Sequence, residues 1–155
     1  MQQTRLHSFL DQLDATYRVS HHDDAFTAQD LAMAEHVPGR RVIKPVLVRA
    51  DGQFVLCALP ACYRVDLEEL KAQIPAEHVR LADERALAEL FPDCDTGAEP
   101  PVGRLYGLVT LMDESLTADD HVTFQAGTHA DSVTMSLAEY RRVAQPEIAH
   151  FARHV

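Results

Sequence analysis

The chain has 155 residues, a net charge of −10 and a pI near 5.2. A domain of this size buries about 70% of its unfolded surface, so one domain spanning 1–155 needs no disulfide or metal to build a core. The acidity excludes broad, sequence-independent nucleic-acid binding, which needs extensive cationic surface, but it leaves room for a small basic site.

Residues 3–14 place Leu6, Phe9, Leu10 and Leu13 at helical spacing. A short strand is predicted over Thr16–Ser20. A second helix follows over Thr27–His36, opened by Thr27 and Asp30 as a capping box and stopped by Pro38-Gly39. Residues Val42–Arg49 and Phe54–Leu59 are β-rich and joined through Asp51-Gly52, a strong hairpin signal. Asp66 and Glu69 open a helix to about Gln73, stopped by Pro75. His78–Leu81 is a strand and Asp83–Leu90 a helix with Leu87 and Leu90 inward. Residues Phe91–Gly103 hold three prolines and two glycines and form a long loop, a length usually reserved for function. Strands are predicted over Tyr106–Met112, Val122–Ala126 and Ser132–Met135, the last two joined by the tight loop Gly127–Asp131. Ser136 and Glu139 cap a helix through Val143, and Pro146 starts another short helix. Irregular alternation with one clear antiparallel hairpin predicts an α+β (mixed α/β) domain with a mixed, largely antiparallel sheet and flanking helices.

The N-terminus lacks the apolar stretch of a secretory signal, and no run reaches the 18 or so apolar residues of a bilayer span. A cytoplasmic location with no membrane partner is expected. Cys57, Cys62 and Cys94 are odd in number and lack CxxC spacing, which suits reduced thiols. The carboxylates flanking Cys94 oppose thiolate formation and a nucleophilic role.

Three segments carry candidate chemistry. From His36 to Ala50 there is no carboxylate, yet Arg40, Arg41, Lys44 and Arg49 fall there. Lys44 lies inside a strand of β-branched residues, sharing a face with Val42 and Val46. It is either an edge-strand gatekeeper or an anion anchor in a cleft. In the long loop, Gly97 and Gly103 bracket Pro100 and Pro101, which makes a rigid, non-helical wall or a plain connector. Gly127-Thr128-His129 brings backbone N–H groups, a hydroxyl and an imidazole to one turn, for a ligand or merely for solvent. No GxSxG, Walker A, GxGxxG or HExxH motif is present. His21-His22-Asp23-Asp24 and the pair His150 and His154 lack an obvious third ligand, so no metal and no cofactor is expected.

In order along the chain, these segments resemble the YbaK/ProX superfamily of aminoacyl-tRNA deacylases, free-standing relatives of the editing domain of bacterial prolyl-tRNA synthetases. The carriers are Val42-Ile43-Lys44-Pro45-Val46-Leu47-Val48, Val55–Ala61, Leu90–Cys94 with Pro100–Gly103, and Phe124-Gln125-Ala126-Gly127-Thr128-His129. Phe91-Pro92-Asp93-Cys94 is most similar to the YeaK-like branch. The resemblance spans about Leu6 to Val143. It implies ester hydrolysis on misacylated tRNA without metal, the vicinal ribose hydroxyl assisting so that no protein nucleophile is required. By resemblance, Lys44 holds the tRNA 3′ end, the loop of Gly97, Pro100, Pro101 and Gly103 walls the aminoacyl pocket, and Gly127, Thr128 and His129 close it. Arg40 and Arg41 would guide the acceptor stem. Where relatives carry Asn or Thr after the lysine, this chain has Pro45, which removes a hydrogen-bonding side chain and an N–H beside the site.

Three functions are thus in contention. One is a trans-editing hydrolase for small residues such as alanine or serine, acting on tRNA bound weakly and salt-sensitively, with a synthetase as an optional escort. A second is a non-catalytic module binding a tRNA end, a nucleotide or a partner in the same cleft. The third is a metal-dependent hydrolase using the histidines.

Overall fold

The computed structural model describes residues 5–154, so residues 3 and 4 of the predicted first helix lie outside the described residues. Five helices and ten strands follow in the order α1 (Arg5–Gln12), β1 (Arg18–His21), α2 (Ala28–Ala34), β2 (Ile43–Ala50), β3 (Gln53–Pro60), β4 (Tyr63–Val65), α3 (Leu67–Gln73), β5 (Val79–Leu81), α4 (Glu84–Leu90), β6 (Val109–Asp113), β7 (His121–Gln125), β8 (Asp131–Ser136), α5 (Leu137–Ala144), β9 (Glu147–Ala149) and β10 (Ala152–His154). Short 3-10 turns occupy Gly39–Arg41, Gly103–Tyr106 and Glu114–Ala118.

The strands form a five-stranded sheet in the order β5-β2-β3-β6-β9, a three-stranded sheet β1-β8-β7 and a pair β10-β4. Only β3–β6 and β6–β9 run parallel; the other pairings are antiparallel, as the α+β expectation requires. A parallel bridge between Val42 and Thr123 ties the larger sheet to the three-stranded one.

Local chemistry explains the element starts. Thr27 and Asp30 form the capping box, each side chain accepting the other's backbone N–H. Asp66, Asp83 and Ser136 cap α3, α4 and α5. Asp51 and Gly52 both adopt positive φ (48° and 85°), the backbone of a two-residue hairpin turn. The Asp51 carboxylate accepts the N–H groups of Glu77 and His78, which pins the segment before β5 and holds its pKa below the usual carboxylate range.

Pairing runs unbroken through Pro45, opposite Ala58. β5 covers only Val48–Ala50 of β2, so Pro45 sits where the outer edge is open and no donor is missed. Alternation then splits β2. Ile43, with Ala58 and Met112, joins the main core against α1, α5 and the three-stranded sheet. Val46 and Val48, with Cys57 and Leu59, pack toward α3 and the β4–β10 pair. Lys44 belongs to this second face.

The expected helix after Pro146 is not formed. Gln145 ends α5 in the left-handed conformation (φ 46°), and Glu147–Ala149 extends alongside Leu111–Asp113 as β9. The free edge of β6 supplies pairing that a short isolated helix lacks. Likewise, Gly103–Tyr106 is a 3-10 turn, so the strand predicted from Tyr106 begins at Val109. Among the described residues, no helix is long and apolar enough to cross a membrane.

Candidate functional site

The long loop and the Gly127 turn are built as one unit. Asp95 N–H donates to Gly127 O at 2.8 Å, and Gly127 N–H donates to Ala98 O at 2.9 Å. Gly97 and Gly127 adopt φ 94° and 99°, open only to glycine without strain. A Cβ on Gly97 would stand 3.4 Å from His129 Cε1, so the imidazole lies directly against the loop backbone. Thr128 Oγ1 donates to Asp131 at 2.6 Å and accepts the Ala130 N–H, so this hydroxyl shapes the turn. His129 Nδ1 is buried, and among the described residues it has no hydrogen-bond partner and the N–H groups of Thr128 and His129 donate to no backbone carbonyl.

Two residues that sequence reasoning did not single out complete this half of the site. Phe26 is 62% exposed and stacks on His129 at 4.8 Å between ring centroids. Glu99 is 4% exposed and accepts the Gly97 N–H through both carboxylate oxygens. Burial raises the Glu99 pKa, against the Gly97 hydrogen bond and the nearby His129, which pull it down. A carboxylate in a Gly-Ala-Glu-Pro-Pro loop reads as solvated; only the turn at Gly97 takes it inside.

Lys44 lies opposite Leu59 and beside Cys62. It is half-buried, burial lowers its pKa, and among the described residues it has no ion pair. A recess of about 500 Å³, lined by Gln29, Ala32, Met33, Val37, Gly39 and Cys62, reaches Lys44 only through Cys62, and Lys44 is not itself in its wall. The apolar cluster of Ala25, Leu31, Ala32, Val42 and Ala61 joins the two halves. On one side Ala25 N–H donates to His129 O at 2.8 Å; on the other, Val42 and Ala61 flank the Lys44 and Cys62 positions.

The other predicted site residues scatter. Arg40 and Arg41 both pair with Asp119, at 3.4 and 3.2 Å. Pro100, Pro101 and Gly103 are buried. Pro101 O accepts the Tyr140 hydroxyl, and Gly103 N–H donates to Thr110 Oγ1. A Cβ on Gly103 would meet Thr110 Oγ1 at 2.5 Å, which accounts for that glycine by packing. The structure therefore gathers Gly97, Gly127, Thr128 and His129, sets Lys44 across a shared apolar seam, and turns Pro101 and Gly103 toward α5 and β6.

The cysteine and the histidines occupy other surroundings. Cys94 touches the Tyr106 hydroxyl at 3.3 Å, and its thiol is pushed up to about 12, chiefly by burial and then by Asp93 and Glu99. His21 pairs with Asp131 and His150 with Glu114, while His154 meets Tyr63 edge-on. Among the described residues, no group of three or more His, Cys, Asp or Glu converges as a metal site.

Comparison with known proteins gives a consistent result. A family model of the aminoacyl-tRNA editing domain matches residues 22–143. The Escherichia coli K12 protein named multifunctional Ser/Thr-tRNA deacylase ProXp-y is 30% identical over 154 residues, covering 96% of this chain and 92% of that protein. The protein of the same name from Escherichia coli O157:H7 matches to the same extent. Among solved structures, a hypothetical protein superposes with a TM-score of 0.87 at 19% identity, over 96% of this chain and 99% of that one. A candidate trans-editing enzyme for prolyl tRNA synthetase superposes with a TM-score of 0.82 at 19% identity, over 96% and 95%. At such identity these two likenesses concern the fold.

Proposed function

Since this chain belongs to the aminoacyl-tRNA editing domain family and is by that membership an aminoacyl-tRNA deacylase, we propose that it acts in trans to clear small amino acids such as alanine or serine from tRNA. The whole chain, 1–155, works as one editing domain in this reading. The observation that carries it is Lys44: a half-buried cation with no ion pair among the described residues, beside Cys62 of an open recess and across a seam from a preformed turn. A lysine held this way is costly unless an anion arrives, and the phosphate of the tRNA 3′ end is such an anion.

The chemistry divides among few groups. Lys44 positions the terminal nucleotide. The N–H groups of Thr128 and His129 are free to stabilise the oxyanion that forms when water attacks the ester carbonyl. His129, packed against the Gly97 turn and the Phe26 ring, helps position the ester and the attacking water. The Gly97 turn, tied to Gly127, and the Phe26 ring bound the space left for the amino acid. A pocket of fixed size provides selectivity that a synthetase cannot draw from one methylene or hydroxyl, each contributing about 1–3 kcal/mol. With a net charge of −10, the protein binds tRNA weakly and releases it as salt rises. A synthetase escort and a cytoplasmic setting agree with this chemistry.

The test is deacylation of tRNAs charged with alanine, serine, threonine, cysteine and proline. Hydrolysis of at least one small residue well above the buffer rate is expected. No hydrolysis across the panel, with saturable tRNA binding, favours the non-catalytic module instead.

A further inference from the structure

A second cleft of about 500 Å³ lies on the three-stranded sheet, bounded by Tyr17, Arg18, Val37, Arg41, His121 and Met135 among others. No carboxylate lines it, although the chain carries 24. The acidic groups around it are already engaged, each by a residue of the cleft's own lining. Asp119 holds Arg40 and Arg41, Asp120 faces His121, Asp11 accepts the Tyr17 hydroxyl, and Glu139 accepts the Thr16 N–H and pairs with Arg142. Arg18 is exposed on the edge strand β1, opposite Thr134, and among the described residues makes no ion pair. Arg41 uses Nε for Asp119, which leaves its terminal nitrogens for a ligand. The Tyr17 hydroxyl is tied to Asp11 at 2.6 Å, so its ring is held in place.

A fixed aromatic ring, apolar side chains, the unpaired Arg18 and the terminal nitrogens that Arg41 keeps beyond its Asp119 pair match the chemistry of a nucleotide: base against ring and apolar wall, phosphate against arginine. The recess shares Val37 with the one that reaches Cys62, the neighbour of Lys44. Val42 bridges to Thr123 on the floor of the cleft, and Arg41 and Lys44 are three residues apart, at most about 11 Å along the backbone. We propose that this cleft receives an unpaired nucleotide of the tRNA 3′ end upstream of the terminal adenosine, with its phosphate on Arg18 and Arg41 and its base against Tyr17. This rests on the reading of Lys44 as the anchor for the terminal adenosine.

The probe is a fluorescently labelled single-stranded RNA ending in CCA, followed by anisotropy across a salt series. Arg18→Glu is expected to weaken binding roughly tenfold, and Arg18→Ala to lower the salt slope by about one. Arg18→Lys should retain most of the affinity, and unchanged melting of all three excludes a folding defect. On aminoacyl-tRNA, Arg18→Glu should raise KM with kcat within twofold. Wild-type affinity and slope in Arg18→Glu overturn the proposal even where deacylation is intact. If the wild type hydrolyses no aminoacyl-tRNA, the RNA-binding arm still decides the cleft while the deacylase reading falls. AMP displacing the RNA at micromolar concentration assigns the cleft to a free nucleotide and also overturns it.

Discussion

Replacing Lys44 with methionine isolates its charge. Methionine keeps the unbranched stem that runs beside Val46 and opposite Leu59, and removes only the ammonium. A charge-assisted hydrogen bond to a phosphate contributes about 1.5–3 kcal/mol. Each 1.36 kcal/mol is a factor of ten, so kcat/KM on misacylated tRNA should fall roughly 10- to 150-fold. Stability should move the other way. Burial lowers the Lys44 pKa, and the neighbouring Cys62 offsets that penalty only in part. A lysine whose folded pKa lies below its unfolded value destabilises the fold while both states are protonated, and the effect vanishes once both are neutral. Lys44→Met should therefore melt no lower than the wild type at pH 7, and any gain should fade above about pH 10. The assay is paired: deacylation kinetics and thermal melting on the same preparations, with Lys44→Ala as a second variant. Activity within twofold of wild type would refute the anchor role. Loss of activity accompanied by a fall in Tm of more than about 5 °C, which is well over 1 kcal/mol in a domain of this size, would make Lys44 a structural residue instead.

Other expectations follow from the loop and its turn. Gly97→Ala places a Cβ where φ is 94° and His129 Cε1 stands 3.4 Å away. The backbone cost of about 1–2 kcal/mol should lower Tm by a few degrees and deacylation more than tenfold; wild-type kinetics would detach Gly97 from the site. Glu99→Gln preserves an acceptor for the Gly97 N–H and removes a buried charge. Because the folded pKa of Glu99 is raised, the wild type carries that penalty above the raised value and sheds it as pH falls toward the unfolded value near 4.3. Melting should show Glu99→Gln more stable at pH 7–8 and equal to wild type near pH 4; a gain that persists at pH 4 would contradict the assignment. Chelator treatment should leave deacylation unchanged, and inhibition reversed by added zinc or iron would restore the metal-dependent reading.

The parts of the fold that were legible in the sequence are those decided by neighbours in the chain. Thr27 with Asp30, the N-caps Asp66, Asp83 and Ser136, and the Asp51-Gly52 turn each satisfy backbone groups within four residues. The strands β4, β9 and β10 were not legible. Each is three residues long, and each exists because a distant edge accepts it. The same division runs through the site. Lys44 stands out because a lysine in an apolar strand is costly, and Gly127 to His129 because a strand ends on them. Phe26 and Glu99 carry no local signal. Phe26 precedes a helix cap like any loop residue, and Glu99 enters the interior only because the reciprocal bonds of Asp95, Ala98 and Gly127 fold its loop inward. Pro101 and Gly103 carry a strong local signal that core packing accounts for.

The single Val42–Thr123 bridge has a further consequence. Lys44 rides on one sheet and the Gly127 turn on another, and that bridge with the small residues Ala25 and Ala61 is the seam between them. On the proposed reading of Lys44 and the Gly127 turn, the seam would act as a gauge, its thickness setting the span between the two. Enlarging a side chain there, as in Ala61→Val, would reset that span without altering a single residue that touches the substrate. Under that proposal, substrate preference would be open to adjustment from the joint as well as from the pocket wall.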